Sequence, residues 1–178
     1  MRKLFTLIGL LTMVLLLSVS FSALAQKTVV YVVRHAEKDL SDPANRNPKL
    51  SEAGAQRAQE LDKVLKSEKM SAIFSTDYNR TLETVAPVAE RRDMFVIVYA
   101  PTNFKGLADR IKGEFAGKTV LVAGHSNTVL EIVEALGGKR PVPELTEEDY
   151  DYLFKVVMND EGKTITTTMN FGKRTKKG

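Results

Sequence analysis

The sequence predicts an α/β fold: a three-layer, doubly wound and mostly parallel sheet with helices on both faces and a β-hairpin added at the C-terminal end. Four short runs of apolar and β-branched residues alternate with four amphipathic helical patterns. Strands of parallel sheets are apolar on both faces because helices cover both, and such sheets are built from alternating strands and helices. Two further β-prone runs follow with a turn between them, which is typical of a hairpin.

Each strand and helix of this alternation follows from its own pattern. The predicted strands are apolar runs of about five residues, too short for helices, at residues 28–33, 70–74, 94–99 and 119–123. The predicted helices repeat apolar residues every three or four positions, and these are Ala58, Leu61 and Leu65; Leu82, Val85 and Ala89; Phe104, Leu107, Ile111 and Phe115; and Val129, Ile132, Val133 and Leu136.

The ends of several helices are also marked. Ser51 is placed to cap the first helix, and Gly137 with Gly138 is expected to end the fourth. Pro87 lies inside the second helical pattern, which begins near Tyr78, and is expected to kink or shorten it.

After the last helical pattern, the chain changes character. Thr146 and Asp149 have the spacing of a short capped helical turn. Residues 153–158 and 164–170 are β-prone and are separated by the turn-forming residues 159–162, which predicts a terminal hairpin or an antiparallel edge addition.

The first 25 residues have the layout of a secretory signal peptide. A basic pair precedes a long apolar run over residues 4–21, and the segment ends in the small-x-small sequence Ala23-Leu24-Ala25. The run is close to the length that spans a bilayer, so an uncleaved anchor is the alternative. The Ala-x-Ala end and the serines before it favour cleavage. With either interpretation the globular part is expected outside the cytoplasm, as a periplasmic or secreted protein.

The remaining 153 residues suffice for one domain and are too few for two ordinary ones. We therefore predict a signal peptide at residues 1–25, one domain at 26–172 and a basic tail at 173–178. The tail is expected to be solvated, with contact to anionic head groups as the alternative. No second segment is long and apolar enough to span a membrane, so no stable membrane insertion is expected after cleavage.

Charge and composition exclude several classes of protein. Removing residues 1–25 removes two basic residues and no acidic one, so the net charge falls from +4 to +2, and no nucleic-acid partner is expected. The chain has no cysteine, which excludes disulfides, thiolate zinc sites and cysteine nucleophiles.

The two histidines of the chain each follow an apolar strand. His35 comes after residues 28–33, separated from them by Arg34, and His125 comes after residues 119–123 and Gly124. Ligands of open parallel sheets bind at the carboxyl ends of the strands, so both imidazoles are expected at the same edge. A single histidine at a strand end is more often structural than catalytic, and it is the neighbouring arginines that favour function here.

Two arginines accompany these histidines. Arg34 precedes His35, and Arg80 lies in the first turn of the second predicted helix. A cation at a helix N-terminus is unfavourable unless an anion binds beside it. Arginine forks match phosphate oxygens, and a neutral imidazole is a competent nucleophile, so the set suits phosphoryl transfer. No cluster of acidic ligands and no phosphate-binding GxxxxGK[ST] loop is present, and we expect no metal and no cofactor.

These residues resemble the histidine phosphatase superfamily, in its phosphoglycerate-mutase-like branch. The resemblance covers four segments in the family's order, with an Arg-His-Ala triplet at residues 34–36 in place of the usual Arg-His-Gly; they are VVRHAEK, LSEAGAQRAQEL, FSTDYNRTLETVAP and VLVAGHSNTV. It implies that His35 becomes phosphohistidine, that Arg34 and Arg80 bind the phosphoryl oxygens, and that His125 donates to the phosphoryl group. The Ser126 backbone N–H and the Asn127 side chain are implied as further anion contacts.

Two features of the motif set conditions on this interpretation. Neighbours on a strand face opposite ways, so Arg34 and His35 share a pocket only if the chain turns there. Ala36 replaces the family's glycine without cost unless that position needs a positive φ.

One departure from the family concerns the general acid. Many members supply a carboxylate from the region after the third strand, and residues 99–103 contain none. The candidates to replace it are Glu37, which we favour slightly because it is nearest in sequence to the nucleophile, and Asp77, Glu83 or Asp109. Without an acid, phosphoanhydrides, phosphoramidates and aryl phosphates should react faster than alkyl esters.

The sequence therefore predicts an exported, metal-independent phosphatase acting on a small phosphorylated substrate. The alternatives are a non-catalytic binder of phosphorylated ligands and, less favoured because of the signal segment, a phosphoglycerate-type mutase. Specificity is expected in the loops at residues 39–49 and 139–148, where Lys139 and Arg140 meet either a second anionic group or solvent. The substrate's identity and the oligomeric state stay open.

Overall fold

The computed structural model describes residues 27–159 and 161–174. The predicted signal peptide and the last four residues of the predicted tail lie outside these ranges. Within them, no helix has the length and apolar character needed to cross a bilayer.

The strands of the described residues form one six-stranded sheet in the order β3-β2-β4-β1-β5-β6. Four of them, β1 to β4, pair in parallel, whereas β5 pairs antiparallel with β1 and β6 antiparallel with β5. Their bounds are β1 Thr28–Arg34, β2 Met70–Ser75, β3 Val96–Val98, β4 Thr119–Gly124, β5 Tyr152–Met158 and β6 Thr164–Asn170. The predicted α/β class, the mostly parallel sheet and the C-terminal hairpin are confirmed.

A helix follows each of the four parallel strands, as predicted. They are α1 Glu52–Val64, α2 Asn79–Arg91, α3 Phe104–Glu114 and α4 Val129–Ala135. Ser51 caps α1 by accepting a hydrogen bond of 3.1 Å from the Gly54 backbone N–H, and Gly137 takes a positive φ of 93° just after α4. Both ends follow the sequence signals, because the orphan N–H groups of a helix need an acceptor and a left-handed C-terminal residue favours glycine.

The core lies on both faces of the sheet. On one face, Val30 and Val32 of β1 pack in a cluster with buried residues of α3 and α4. On the other face, Tyr31 and Val33 pack with buried residues of α1 and α2. Alternate residues of one strand thus bury on opposite sides, which is why these runs are apolar throughout.

Two local predictions need correction, and a third is borne out. Pro87 does not shorten α2, which continues to Arg91, since Val88 and Ala89 beyond it are buried in the core and their packing offsets the missing hydrogen bond. The third strand is a three-residue edge strand paired only with β2, not a strand buried on both faces, and Phe95 beside it is 94% exposed. Thr146 and Asp149 form the predicted capped turn, with Asp149 Oδ2 accepting from the Thr146 N–H and hydroxyl at 2.8 Å.

Strand register places the two histidines side by side. Arg34 at the end of β1 pairs with Gly124 at the end of β4. His35 and His125 are therefore the next residues after these two adjacent strands. The His35 N–H donates to the Gly124 carbonyl at 2.9 Å. On the other side of β4, Ser75 pairs with Ala123, which brings Thr76 next to His125.

Candidate active site

A cavity of about 310 Å³ opens at the carboxyl ends of the parallel strands. The four side chains singled out from the sequence, Arg34, His35, Arg80 and His125, all line it. Its wall is completed by Lys38, Tyr78, Pro101, Thr102, Ser126, Asn127, Thr128 and Glu147. Distant parts of the chain therefore meet at one edge of the sheet, as expected for ligand sites of open parallel sheets.

His35 is buried and held in a defined tautomer. It is 4% exposed, and its Nδ1 lies 2.7 Å from the Ala36 carbonyl oxygen. A carbonyl only accepts hydrogen bonds, so Nδ1 carries the proton of the neutral ring and Nε2 keeps its lone pair. Burial, with smaller contributions from Arg34, Arg80 and His125, lowers the pKa of His35 to about 3, which keeps the ring neutral and nucleophilic at physiological pH.

His125 faces His35 and is anchored on its other side. The two ring centroids are 5.5 Å apart, and the His125 Nε2 forms a 3.0 Å hydrogen bond with the Thr76 hydroxyl. Because Nε2 is taken up by this bond, Nδ1 is the nitrogen left to contact a ligand. Burial, followed by Arg80 and Arg34, lowers the pKa of His125 to about 4.

Arg34 is 2% exposed and is held from several directions. One terminal nitrogen donates to the Thr146 carbonyl at 2.6 Å and to the Asp149 carbonyl at 3.3 Å. The guanidinium carbon lies 4.2 Å from the centroid of the Tyr150 ring, a cation–π geometry. Its Nε is buried without a hydrogen-bond partner among the described residues.

Arg80 repeats this arrangement from the other side. It is the second residue of α2, whose N-cap Tyr78 makes no side-chain capping bond, and its guanidinium carbon lies 4.5 Å from the Tyr78 ring centroid. Its Nε is also buried and unpaired within the described part of the chain. Burial lowers the pKa of this guanidinium, but an arginine stays charged at physiological pH. Two guanidiniums in the wall of one cavity make it a site for an anion.

The chain turns where the sequence required it to. β1 ends at Arg34, so His35 leaves the strand alternation and both side chains reach the cavity. Ala36 is buried and donates its N–H to the Thr84 hydroxyl at 2.8 Å. Among the described non-glycine residues only Asp93 has a positive φ, so alanine replaces glycine at position 36 without backbone strain.

The structure places Glu37 outside the cavity, and this corrects the preference for it as general acid. Its carboxylate receives hydrogen bonds of 2.7 to 3.0 Å from Arg57. Arg57 also donates to the carbonyls of Phe171 and Lys173. Glu37 therefore ties the loop after β1 to α1 and to the chain beyond β6, and Lys173, the first residue of the predicted tail, is part of this network.

The other candidate acids do not line the cavity either. Glu83 accepts from the Leu50 N–H at 2.7 Å, and Asp109 pairs with Lys105 on the exposed face of α3. Asp77 is exposed in the bend before α2. Of the described carboxylates, only that of Glu147 belongs to the cavity wall.

Sequence reasoning missed several residues of the site. Glu147 lies 3.3 Å from Arg34 and 4.0 Å from Lys38; the loop at 139–148 was expected over the pocket, but no motif marks this position. Thr76 and Tyr78 lie in the segment before Arg80. Their position after a predicted strand was the one feature of the sequence that could have indicated a place in the site. Arg140, expected to meet an anion or solvent, instead pairs with Glu131 and Glu134 at 2.7 Å. The loop at 39–49 contributes no residue to this cavity.

No grouping of three or more metal-ligating side chains occurs in residues 27–159 and 161–174.

Comparisons with known proteins identify a family and a fold. The family model of the histidine phosphatase superfamily (branch 1) matches residues 30–121. The protein histidine phosphatase SixA, in a complex with tungstate, is similar in structure, with a TM-score of 0.64, 16% identity, and coverage of 80% of this chain and 96% of that one. A comparison with curated proteins gives no significant match.

Two further solved structures share the fold. The phosphoserine phosphatase of Entamoeba histolytica, in complex with 3-phosphoglyceric acid, has a TM-score of 0.61 at 15% identity and covers 83% of this chain and 98% of its own. The phosphoglycerate mutase of Bacillus anthracis has a TM-score of 0.60 at 18% identity, with 82% and 93% covered. At these identities the likeness establishes the fold alone.

Proposed function

Because the chain belongs to the histidine phosphatase superfamily (branch 1), we propose that it is an exported phosphatase that hydrolyses phosphomonoesters, or phosphoanhydride or phosphoramidate groups, through a covalent phosphohistidine on His35. Membership supports a phosphatase- or mutase-type function in general. The observation that carries the more specific proposal is that His35, whose Nδ1 lies 2.7 Å from the Ala36 carbonyl oxygen, lines one cavity together with Arg34, Arg80 and His125.

In the first step, the Nε2 lone pair of His35 attacks phosphorus. A P–N bond forms as the P–O or P–N bond to the leaving group breaks, and the leaving group departs with that electron pair. Arg34 and Arg80 bind the phosphoryl oxygens, and His125 donates to them through Nδ1 as negative charge develops in the transition state. The Ser126 N–H and the Asn127 side chain are further donors from the cavity wall.

In the second step, water attacks the phosphohistidine. A new P–O bond forms, the P–N bond breaks, its electron pair returns to Nε2, and the water protons pass to solvent or phosphate. Inorganic phosphate leaves, and His35 is restored in its neutral state. No metal ion takes part in either step, so activity is expected to survive a chelator such as EDTA.

We further propose that residues 1–25 are a cleaved signal peptide and that residues 26–172 form the phosphatase domain, followed by a basic tail at 173–178. Export separates this protein from cytoplasmic glycolytic intermediates, which disfavours a mutase role. The small-x-small end at Ala23-Leu24-Ala25 supports cleavage. N-terminal sequencing of the protein recovered from the producing cell decides between cleavage and a retained anchor.

The experiment for this function is labelling with a phosphodonor such as acetyl phosphate carrying ³²P. The wild-type protein should acquire a label that is stable in base and lost in acid, as phosphohistidine is, and His35→Ala should acquire none. Arg110→Gln, in an exposed ion pair on α3, is the matched control and should label normally. Absence of label in the wild type with retained phosphate binding would instead identify a non-catalytic binder.

A phosphatase and a mutase differ in the fate of the phosphoryl group. Release of inorganic phosphate from 3-phosphoglycerate indicates hydrolysis, whereas formation of 2-phosphoglycerate indicates transfer. We expect no 2-phosphoglycerate, and release of phosphate from 3-phosphoglycerate that is slow compared with release from phenyl phosphate.

A further inference from the structure

We infer that Glu147 is a specificity-determining residue that excludes substrates with a second negative charge close to the phosphoryl group and favours those whose leaving group is neutral or cationic. This inference rests on the proposed function, because it concerns the same cavity. It names a substrate class: compounds with a single phosphoryl group and no neighbouring carboxylate or phosphate.

The first support is the position of Glu147 at the rim of the cavity. Its side chain is 73% exposed, and its carboxylate lies 3.3 Å from Arg34. A contact this exposed contributes little to folding. Arg34 is in any case held by two backbone carbonyls and by the Tyr150 ring. The carboxylate is therefore not needed to hold Arg34 in place. It lies at the rim, where we expect the part of the substrate beyond the phosphoryl group.

The second support is the balance of charge in the cavity wall. Among the described residues, three cations line the cavity, Arg34, Lys38 and Arg80, and Glu147 is the one anion. With both imidazoles neutral, the wall carries two positive charges in excess, which a phosphoryl dianion matches. A second anionic group on the substrate would meet Glu147 with no excess cation left to balance it.

The third support is that the nearby basic residues do not compensate. Lys139 and Arg140 lie in the same loop as Glu147 but do not line the cavity, and Arg140 is held by Glu131 and Glu134. The loop thus presents a carboxylate to the site and keeps its arginine elsewhere. This arrangement disfavours a second anionic group on a substrate whose phosphoryl group is bound in the cavity.

The test compares three ligands of similar size that differ in the charge beyond the ester oxygen: phosphoethanolamine (cationic), ethyl phosphate (neutral) and 2-phosphoglycolate (anionic). Dissociation constants are measured by calorimetry with the full chain carrying His35→Ala, so that turnover does not interfere. Glu147→Gln and Glu147→Lys are added to this variant. The matched control is Glu148→Gln, which removes a neighbouring acid of the same loop that does not line the cavity.

We expect phosphoethanolamine to bind more tightly than 2-phosphoglycolate, with ethyl phosphate between them. Glu147→Gln should reduce this ratio about fivefold, the effect of one charge a few ångströms away in a solvated rim. Glu147→Lys should reduce it further, and Glu148→Gln should leave it unchanged within about twofold. An unchanged ratio in both Glu147 variants, or an equal change in affinity for all three ligands, overturns the inference.

A second measurement separates this role from general acid catalysis. In the chain that retains His35, Glu147→Gln should change kcat for ethyl and phenyl phosphate by the same factor. A loss confined to ethyl phosphate, whose leaving group needs a proton, would make Glu147 the general acid and overturn the inference. Failure of the proposed function has a different signature, namely no phosphohistidine label in the wild type while the calorimetric ratios stay measurable.

Discussion

The imidazole rings of His35 and His125 meet edge to face, with centroids 5.5 Å apart and planes inclined by 66°. The contact follows from the pairing of Arg34 with Gly124 at the ends of two parallel strands. Each ring has one nitrogen bonded to the surrounding protein, Nδ1 of His35 to Ala36 and Nε2 of His125 to Thr76. One nitrogen of each ring therefore stays available to a shared ligand.

The two histidines should make the protein less stable in acid. Their pKa values, about 3 and about 4, lie below the ordinary 6.5. Between pH 6.5 and 4 the unfolded chain therefore binds protons that the folded chain does not, and the free energy of unfolding falls as pH falls, by at most about 1.4 kcal/mol per pH unit for each histidine. Urea unfolding at pH 7 and pH 4.5 measures this, and His125→Asn should show a smaller loss. An equal loss in that variant would contradict the assignment.

Arg80 should contribute strongly to the affinity of the cavity for phosphate. Replacing it by glutamine removes a charged fork from the wall of the cavity, so inorganic phosphate should bind about tenfold or more weakly. Arg80→Lys should recover only part of the affinity, because an ammonium lacks the fork. Calorimetric titration with phosphate checks both, with Arg110→Gln as the control; unchanged affinity in Arg80→Gln would remove this residue from the site.

Thr76 should position His125. Thr76→Val keeps the shape of the side chain but removes the hydroxyl that bonds Nε2, so the ring loses its fixed orientation and kcat should fall about tenfold, with a smaller change in KM. Thr76→Ser retains the hydroxyl and should restore kcat to within about threefold of the wild type. Steady-state kinetics on an aryl phosphate distinguishes the two, and equal kcat in the valine and serine variants would show that the bond is not used.

Arg57 should stabilise the fold around the nucleophile. Arg57→Gln leaves the Glu37 carboxylate and the carbonyls of Phe171 and Lys173 without their donor, so the free energy of unfolding should fall by about 2–4 kcal/mol. Lys63→Gln, which removes an exposed helical ion pair, should cost less than about 0.5 kcal/mol. Urea denaturation measures both, and a loss in Arg57→Gln as small as the control would show that the network is not stabilising.

The leaving group should set the rate of the first step. No carboxylate follows β3 in the segment 99–103, and Glu37 is bound to Arg57. Phenyl phosphate and acetyl phosphate should therefore react much faster than ethyl phosphate, and Glu37→Gln should leave the ratio of these rates unchanged while lowering stability. Equal rates on alkyl and aryl esters would indicate that an acid is present.

Local pattern was sufficient for most of the fold. Period and length separated strands from helices, and Ser51 and Gly137 marked helix ends, because those signals arise from the segment's own backbone needs. The predictions were wrong where contacts with other parts of the fold determine the local structure. Pro87 is tolerated because Val88 and Ala89 are buried in the core, and β3 is short and exposed because it lies at the edge of the sheet.

By itself, the sequence determined the α/β class, the family, and the four groups placed after strands or in a first helical turn: Arg34, His35, Arg80 and His125. Only the tertiary structure decided what those groups contact. Thr76 reaches His125 through the register of β2 and β4, Glu37 is bound to Arg57 from α1, and Glu147 comes to Arg34 from a loop 113 residues away. Such contacts join segments far apart in the chain, so no period or spacing encodes them, whereas a strand or a cap depends on residues a few positions apart.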